Sequence, residues 1–186
     1  MAISSKRERT RSRLGECALA LFEERGFEAT SVAQIARAAG VTEMTFFRHF
    51  GAKEQAVLTD PFDPVIAEVV SARPRDEEPL ARAVRGLRSA LSGLSEADLV
   101  MVRRRVRLVA RTPALRAAAV TQNEVTSAAI AERLAAGGAD PFTARVAAQT
   151  VLAAVTTALY AWAEDPHWTL IESIGAALDV LDQGHD

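Results

Sequence analysis

Between Thr30 and Phe50 the chain holds two short amphipathic segments separated by Gly40. Ser31 stands three residues before Gln34, the spacing of a capping box, and Val32, Ile35 and Ala36 then supply one inward face. Gly40 breaks that helix and Val41 anchors the turn. Thr42 can cap a second short helix, Thr42 to His49, which holds Phe46 and Phe47 and is closed by Phe50-Gly51. Isolated helices below about 12–15 residues are marginal in water, so neither segment holds its shape alone. Two such helices joined by a glycine turn form a helix-turn-helix, and they need further helices as backing.

The backing lies on either side. A first helix is expected from Lys6 to Arg25, with Leu14, Cys17, Ala18, Leu21 and Phe22 on one buried face, Gly26 as a left-handed C-cap and Phe27 folding back onto the core. A fourth helix is expected to start at Lys53. Asp60-Pro61 and Asp63-Pro64 interrupt or kink it before Ile66, Val69 and Val70 resume the pattern. Arg73 to Pro79 reads as a polar break, followed by a helix over Leu80–Leu91 and a separator at Gly93. The next helix is capped by Ser95 with Asp98 in the box position. Its inward stripe is Leu99, Val102, Val106 and Val109, and Arg103, Arg104, Arg105 and Arg107 lie mostly off it. Thr112-Pro113 starts a helix that runs to Ala136 and stops at Gly137-Gly138. A very apolar helix over Pro141–Ala163 should be covered on more than one side, and Pro166 precedes a last helix over His167–Leu181. The expected fold is all-α with about nine helices. A three-helix helix-turn-helix domain over residues 1–52 precedes a helical bundle over residues 53–186.

Bulk properties exclude other classes. The composition, 49% hydrophobic and 25% charged, is globular. The single cysteine, Cys17, rules out an internal disulfide and a cysteine-based metal cluster, and reads as a buried spacer. No stretch is read as apolar and charge-free enough to span a membrane, and no signal core is seen, so a cytoplasmic location is expected. His49, His167 and His185 are too scattered for a metal site. No nucleophile elbow or phosphate cradle is present, so neither enzyme chemistry nor a cofactor is expected.

The net charge of −2 hides an uneven distribution. Residues 1–13 carry Lys6, Arg7, Arg9, Arg11 and Arg13 against Glu8 alone, five basic to one acidic. Such an arm is either a solvated tail or a surface for a polyanion. In a helix-turn-helix the second helix enters the major groove. Here Glu43 can accept from a cytosine amino group, Arg48 can donate to guanine, and Met44 or Phe47 can pack on a thymine methyl. His49 and Lys53 suit phosphate, and the helix ends near Ser31 and Lys53 add positive potential.

The run from Leu21 to Glu54 closely resembles the N-terminal domain of TetR-family transcriptional regulators. Its ordered pattern is Phe22, Gly26, Phe27, Thr30, Val32, Ile35-Ala36, Ala39-Gly40-Val41, Thr45-Phe46, His49-Phe50 and Lys53-Glu54. The resemblance covers about residues 10–58. It implies a homodimer built through the last two helices, bound to a partly palindromic double-stranded DNA operator. Usually such a protein represses, and it lets go when a small molecule enters the C-terminal domain. By the same resemblance Thr45, Phe47, His49 and Lys53 fall on backbone-contacting positions, and Glu43, Met44 and Arg48 on base-facing ones. The family usually has tyrosine at the position of Phe47, so a hydroxyl contact to phosphate is missing here. Effector sites in the family imply pocket candidates at Met101, Arg105, Leu108, Gln122, Asn123, Thr126, Gln149, Thr156 and Tyr160. Tyr160 has a packing role as its alternative. An arginine of the 103–105 run turned inward would favour an acidic ligand, and otherwise an apolar one is expected. The competing reading is a ligand-independent architectural or protein-interaction module on the same fold.

Overall fold

The computed structural model describes residues 5–59, 63–91, 95–165 and 167–182. Among them there are ten helices and no strand. They are α1 (Lys6–Arg25), α2 (Val32–Ala38), α3 (Glu43–His49), α4 (Gln55–Leu58), α5 (Asp63–Ser71), α6 (Pro79–Leu91), α7 (Glu96–Arg111), α8 (Pro113–Ala136), α9 (Pro141–Glu164) and α10 (Leu170–Asp182). The chain forms two compact units, one of residues 1–59 with 108–118, the other of residues 60–107 with 119–186. The first therefore includes residues 53–59 and the corner between α7 and α8, beyond the stretch over 1–52 expected from the sequence.

In the first unit α1 packs against α2 and α4, and α2 against α3. The buried face of α1 is Leu14, Gly15, Ala18, Leu19 and Phe22, rotated from the expected stripe, so Cys17 and Leu21 are only half-buried. Gly15 explains the rotation. A Cβ there would lie 3.2 Å from the Ala56 carbonyl, so the glycine lets α4 approach closely. The expected fourth helix is two: a turn over residues 51–54 delays α4 to Gln55, and α5 begins separately. Asp63-Pro64 opens α5, where a proline in the first turn costs no hydrogen bond. Asp60-Pro61, Gly93 and Pro166 lie outside the described residues.

In the second unit α6 packs against α5, α9 and α10, and α9 against α10. Its core joins Val70, Val84, Leu87, Ile130, Leu134, Val151, Trp162, Ile174 and Leu178. The last helix starts at Leu170 rather than His167, because Thr169 and Glu172 form the capping bonds. One expectation is overturned. By length and composition α9 is apolar enough to cross a membrane, because its many alanines raise the mean hydropathy, and 44% of its most apolar window is buried inside the protein.

Candidate nucleic-acid interface

The turn that presents α3 is fixed by backbone chemistry. Gly40 has φ 65°, its N–H donates to the Arg37 carbonyl, and the Val41 N–H donates to the Ala36 carbonyl at 2.9 Å. These are the two bonds of a Schellman motif, which needs a left-handed residue at Gly40. Thr42 follows at once as the N-cap of α3, its hydroxyl accepting from the Thr45 N–H at 3.2 Å. At the other end of α2, Ser31 accepts from the Gln34 N–H, and the Gln34 side chain accepts from the Ser31 N–H. Both halves of the expected capping box are present, and a helix of seven residues keeps its ends paired.

Two rings hold α3 in place. Phe46 is fully buried, Phe50 lies 5.4 Å from it, and Phe47 meets Phe46 edge-on at 5.6 Å. With position 46 turned inward, Glu43, Met44, Phe47 and Arg48 stand outward together. Met44 is 79% exposed and Phe47 51%, a large apolar surface on so short a helix. Thr45 and His49 are half-buried at the edge of that face, and Ser31 and Thr42 are exposed.

Lys53 is differently placed from the other candidates. Its Nζ donates to the Phe27 carbonyl at 2.7 Å and the Thr30 carbonyl at 3.0 Å, and lies 4.0 Å from the centroid of the Phe27 ring. An ammonium has three donors, so one remains for phosphate. The side chain thus pins the loop after α1, which Thr30 also braces by donating to the Gly26 carbonyl. His49 is held below the ordinary histidine range by burial, and further by the guanidiniums of Arg48, Arg7 and Arg11. These influences favour its neutral form.

The second unit contains a cavity of about 110 Å3 lined wholly by aliphatic side chains and alanine, among them Leu87, Val102, Val106, Val155, Leu159 and Ile174. None of the nine pocket candidates borders it. Gln149 lines an open groove with Glu124, Ser127 and Arg145. The Asn123 amide donates to Thr156 across α8 and α9, Thr126 donates to the Gln122 carbonyl, and Met101 meets the Arg104 guanidinium through its sulfur. Arg105 and Tyr160 are half-buried, and Leu108 falls in the first unit. Sequence reasoning misses the cavity residues because polar side chains suggest a ligand site and aliphatic ones suggest core. Two residues of the expected stripe, Val102 and Val106, nevertheless mark one wall. Arg82, 1% exposed on α6, escapes it too, and only its place in an apolar run distinguishes it.

Residues 16–58 match the family of bacterial regulatory proteins of the TetR type, and residues 78–186 match the MftR C-terminal domain. A protein of Mycobacterium tuberculosis named for transcriptional regulation of mycofactocin biosynthesis, MftR, is 30% identical over 190 residues, spanning 99% of this chain and 95% of that one. The fold is shared with NalD of Pseudomonas aeruginosa, the secondary repressor of a multidrug efflux pump, at TM-score 0.59 and 24% identity over 97% of both chains. It is shared too with FadR of Thermus thermophilus, a TetR-family repressor solved with lauroyl-CoA, at TM-score 0.53 and 23% identity over 95% of both. The chain belongs to the TetR family: it is a transcriptional regulator that carries a helix-turn-helix DNA-binding domain.

Proposed function

We propose that the protein is a homodimeric repressor that binds a partly palindromic operator and leaves it when a small apolar molecule occupies the C-terminal region. The outward face of α3 carries this reading: Glu43 and Arg48 are complementary to base edges, and Met44 to a thymine methyl, on a helix whose other side is locked by Phe46 and Phe50. Ser31, Thr42, Thr45, Phe47, His49 and Lys53 contact the backbone around it. The helix-turn-helix domain over residues 1–52, with Lys53 at its border, binds DNA, and the helical bundle that follows binds effector and dimerises. The protein acts in the cytoplasm, without a catalytic step, cofactor or metal.

Two observations support the rest. Along α9 and α10, Phe142 is 68% and Ile171 57% exposed in the single chain, with Val146 and Val180 also open, as expected of a face covered by a second copy. The cavity offers no polar handle. Arg103 and Arg107, neighbours in sequence of the lining residues Val102 and Val106, donate to carbonyls at the end of α9. Its volume lies below the ~300–1,000 Å3 of ordinary ligand pockets, so an effector must widen it.

Selection of bound duplexes from fragmented genomic DNA with the purified protein tests the reading. A short inverted repeat supports it. Weak, salt-sensitive binding without sequence preference overturns it in favour of the architectural module.

A further inference from the structure

We propose that Arg7 and Arg11 on α1 form a phosphate clamp that extends the DNA interface beyond the helix-turn-helix, onto the backbone of the duplex that α3 enters. The proposal rests on the DNA-binding reading and adds a site outside it. Positions 7, 11, 14, 18 and 22 share one face of α1. Over its later turns that face is core, with Leu14, Ala18 and Phe22 buried. Over its first two turns the same face carries guanidiniums, and both are exposed. The stripe changes from apolar to cationic where the core ends.

Arg11 sits beside the end of α3, and Arg7 lies one turn before it on the same face of α1. The Arg11 Cζ lies 5.2 Å from the centroid of the Phe50 ring, the residue that closes α3. Both Arg7 and Arg11 act electrostatically on His49, together with Arg48. Among the described residues no ion pair joins Arg7, Arg11 or Arg48 to a carboxylate. Glu8, the nearest acid along α1, accepts from the Ser5 N–H at 2.6 Å in the capping box of α1. Three uncompensated guanidiniums around one imidazole repel each other, and a polyanion relieves that repulsion. A phosphate takes two parallel bonds from a guanidinium, which a solvated basic surface does not require. Lys6, Arg9 and Arg13 lie on other faces of the helix and are not part of the clamp.

The test is equilibrium binding of the full-length protein to its selected operator, and to an unrelated duplex, across a series of salt concentrations. For Arg7→Gln/Arg11→Gln the slope of log K against log salt falls by about 0.9 for each phosphate no longer neutralised, on both duplexes. The ranking of operators with single base changes stays as in the wild type. Arg7→Lys/Arg11→Lys keeps the slope. If the double glutamine variant unfolds early, Arg7→Gln alone, which leaves the Arg11–Phe50 pair in place, gives the same readout. A folded glutamine variant with the wild-type slope overturns the clamp and leaves the DNA-binding reading intact. A wild-type protein that binds neither duplex overturns both.

Discussion

Arg103 of α7 holds the end of α9 in two ways. Its guanidinium lies 4.7 Å from the centroid of the Trp162 ring, and Nη2 donates to the Trp162 carbonyl at 3.0 Å and to the Asp165 carbonyl at 3.2 Å. One turn further on, Arg107 Nε donates to the Ala163 carbonyl at 2.7 Å. The last carbonyls of a helix have no partner within it, and cations suit that end of the dipole. The two arginines therefore finish α9. Arg103→Ala is expected to lower the unfolding free energy by about 1.5–3 kcal/mol, the range for hydrogen bonds from a charged group. Arg103→Lys should recover little, because an ammonium neither stacks as a plane nor spans two carbonyls. Denaturant titration of the three proteins decides it.

Arg82 and Gly137 make a second testable pair. The guanidinium is buried against Gly137 at the end of α8, its Nε has no hydrogen-bond partner, and a Cβ at 137 would run into it. Gly137→Ala should cost about 1–3 kcal/mol as overpacking. Arg82→Met removes both the obstruction and a buried cation, and should be neutral or stabilising. In the double variant the glycine substitution should lose much of its cost, read as a coupling in a double-mutant cycle. Additive effects would show that the two do not meet.

His49 gives a pH dependence of opposite sign for folding and for DNA binding. Its pKa in the folded protein is lowered, first by burial and then by Arg48, Arg7 and Arg11, so the unfolded chain takes up the proton first. The histidine's contribution to stability is therefore full above the ordinary value of about 6.5 and declines as pH falls from there towards the depressed value. Phosphate beside the ring favours the imidazolium, so operator affinity should rise over the same acid range. Measured from pH 8 to pH 6 at fixed salt, the rise should vanish in His49→Gln.

Restoring the missing hydroxyl should strengthen anchoring. Phe47→Tyr puts a phenol on a half-exposed ring of α3 and is expected to tighten operator binding several-fold, from about 1 kcal/mol for one added hydrogen bond. An unchanged affinity would place the ring away from phosphate.

Filling the aliphatic cavity separates the two activities. Ala90→Leu adds bulk to its lining and should abolish response to an apolar effector while operator affinity without effector stays near wild type. Continued release by the effector would move the effector site elsewhere.

The helix-turn-helix is legible in the sequence because its signals are local: a capping box at Ser31, a left-handed glycine at Gly40 and a threonine cap each act within a few residues. What escapes depends on partners distant in sequence. The face of α1 is set by the approach of α4 at Gly15, some forty residues away. Lys53 reads from the sequence as a phosphate contact, and its bonds to the Phe27 and Thr30 carbonyls, more than twenty residues away, do not show there. The cavity wall is made of the same aliphatic stripes that fill a core, and periodicity does not say where packing stops short.

Residues 108–118 belong to the N-terminal unit although the chain has by then passed through α5, α6 and most of α7. Val109 and Leu115 of that corner are buried. During synthesis the reading head therefore lacks its last piece until residue 118 has cleared the ribosome, long after α3 has emerged. A fragment cut after residue 59 would lack that piece altogether. Exchanging reading heads between relatives then calls for two grafts, one at each end of the intervening helices.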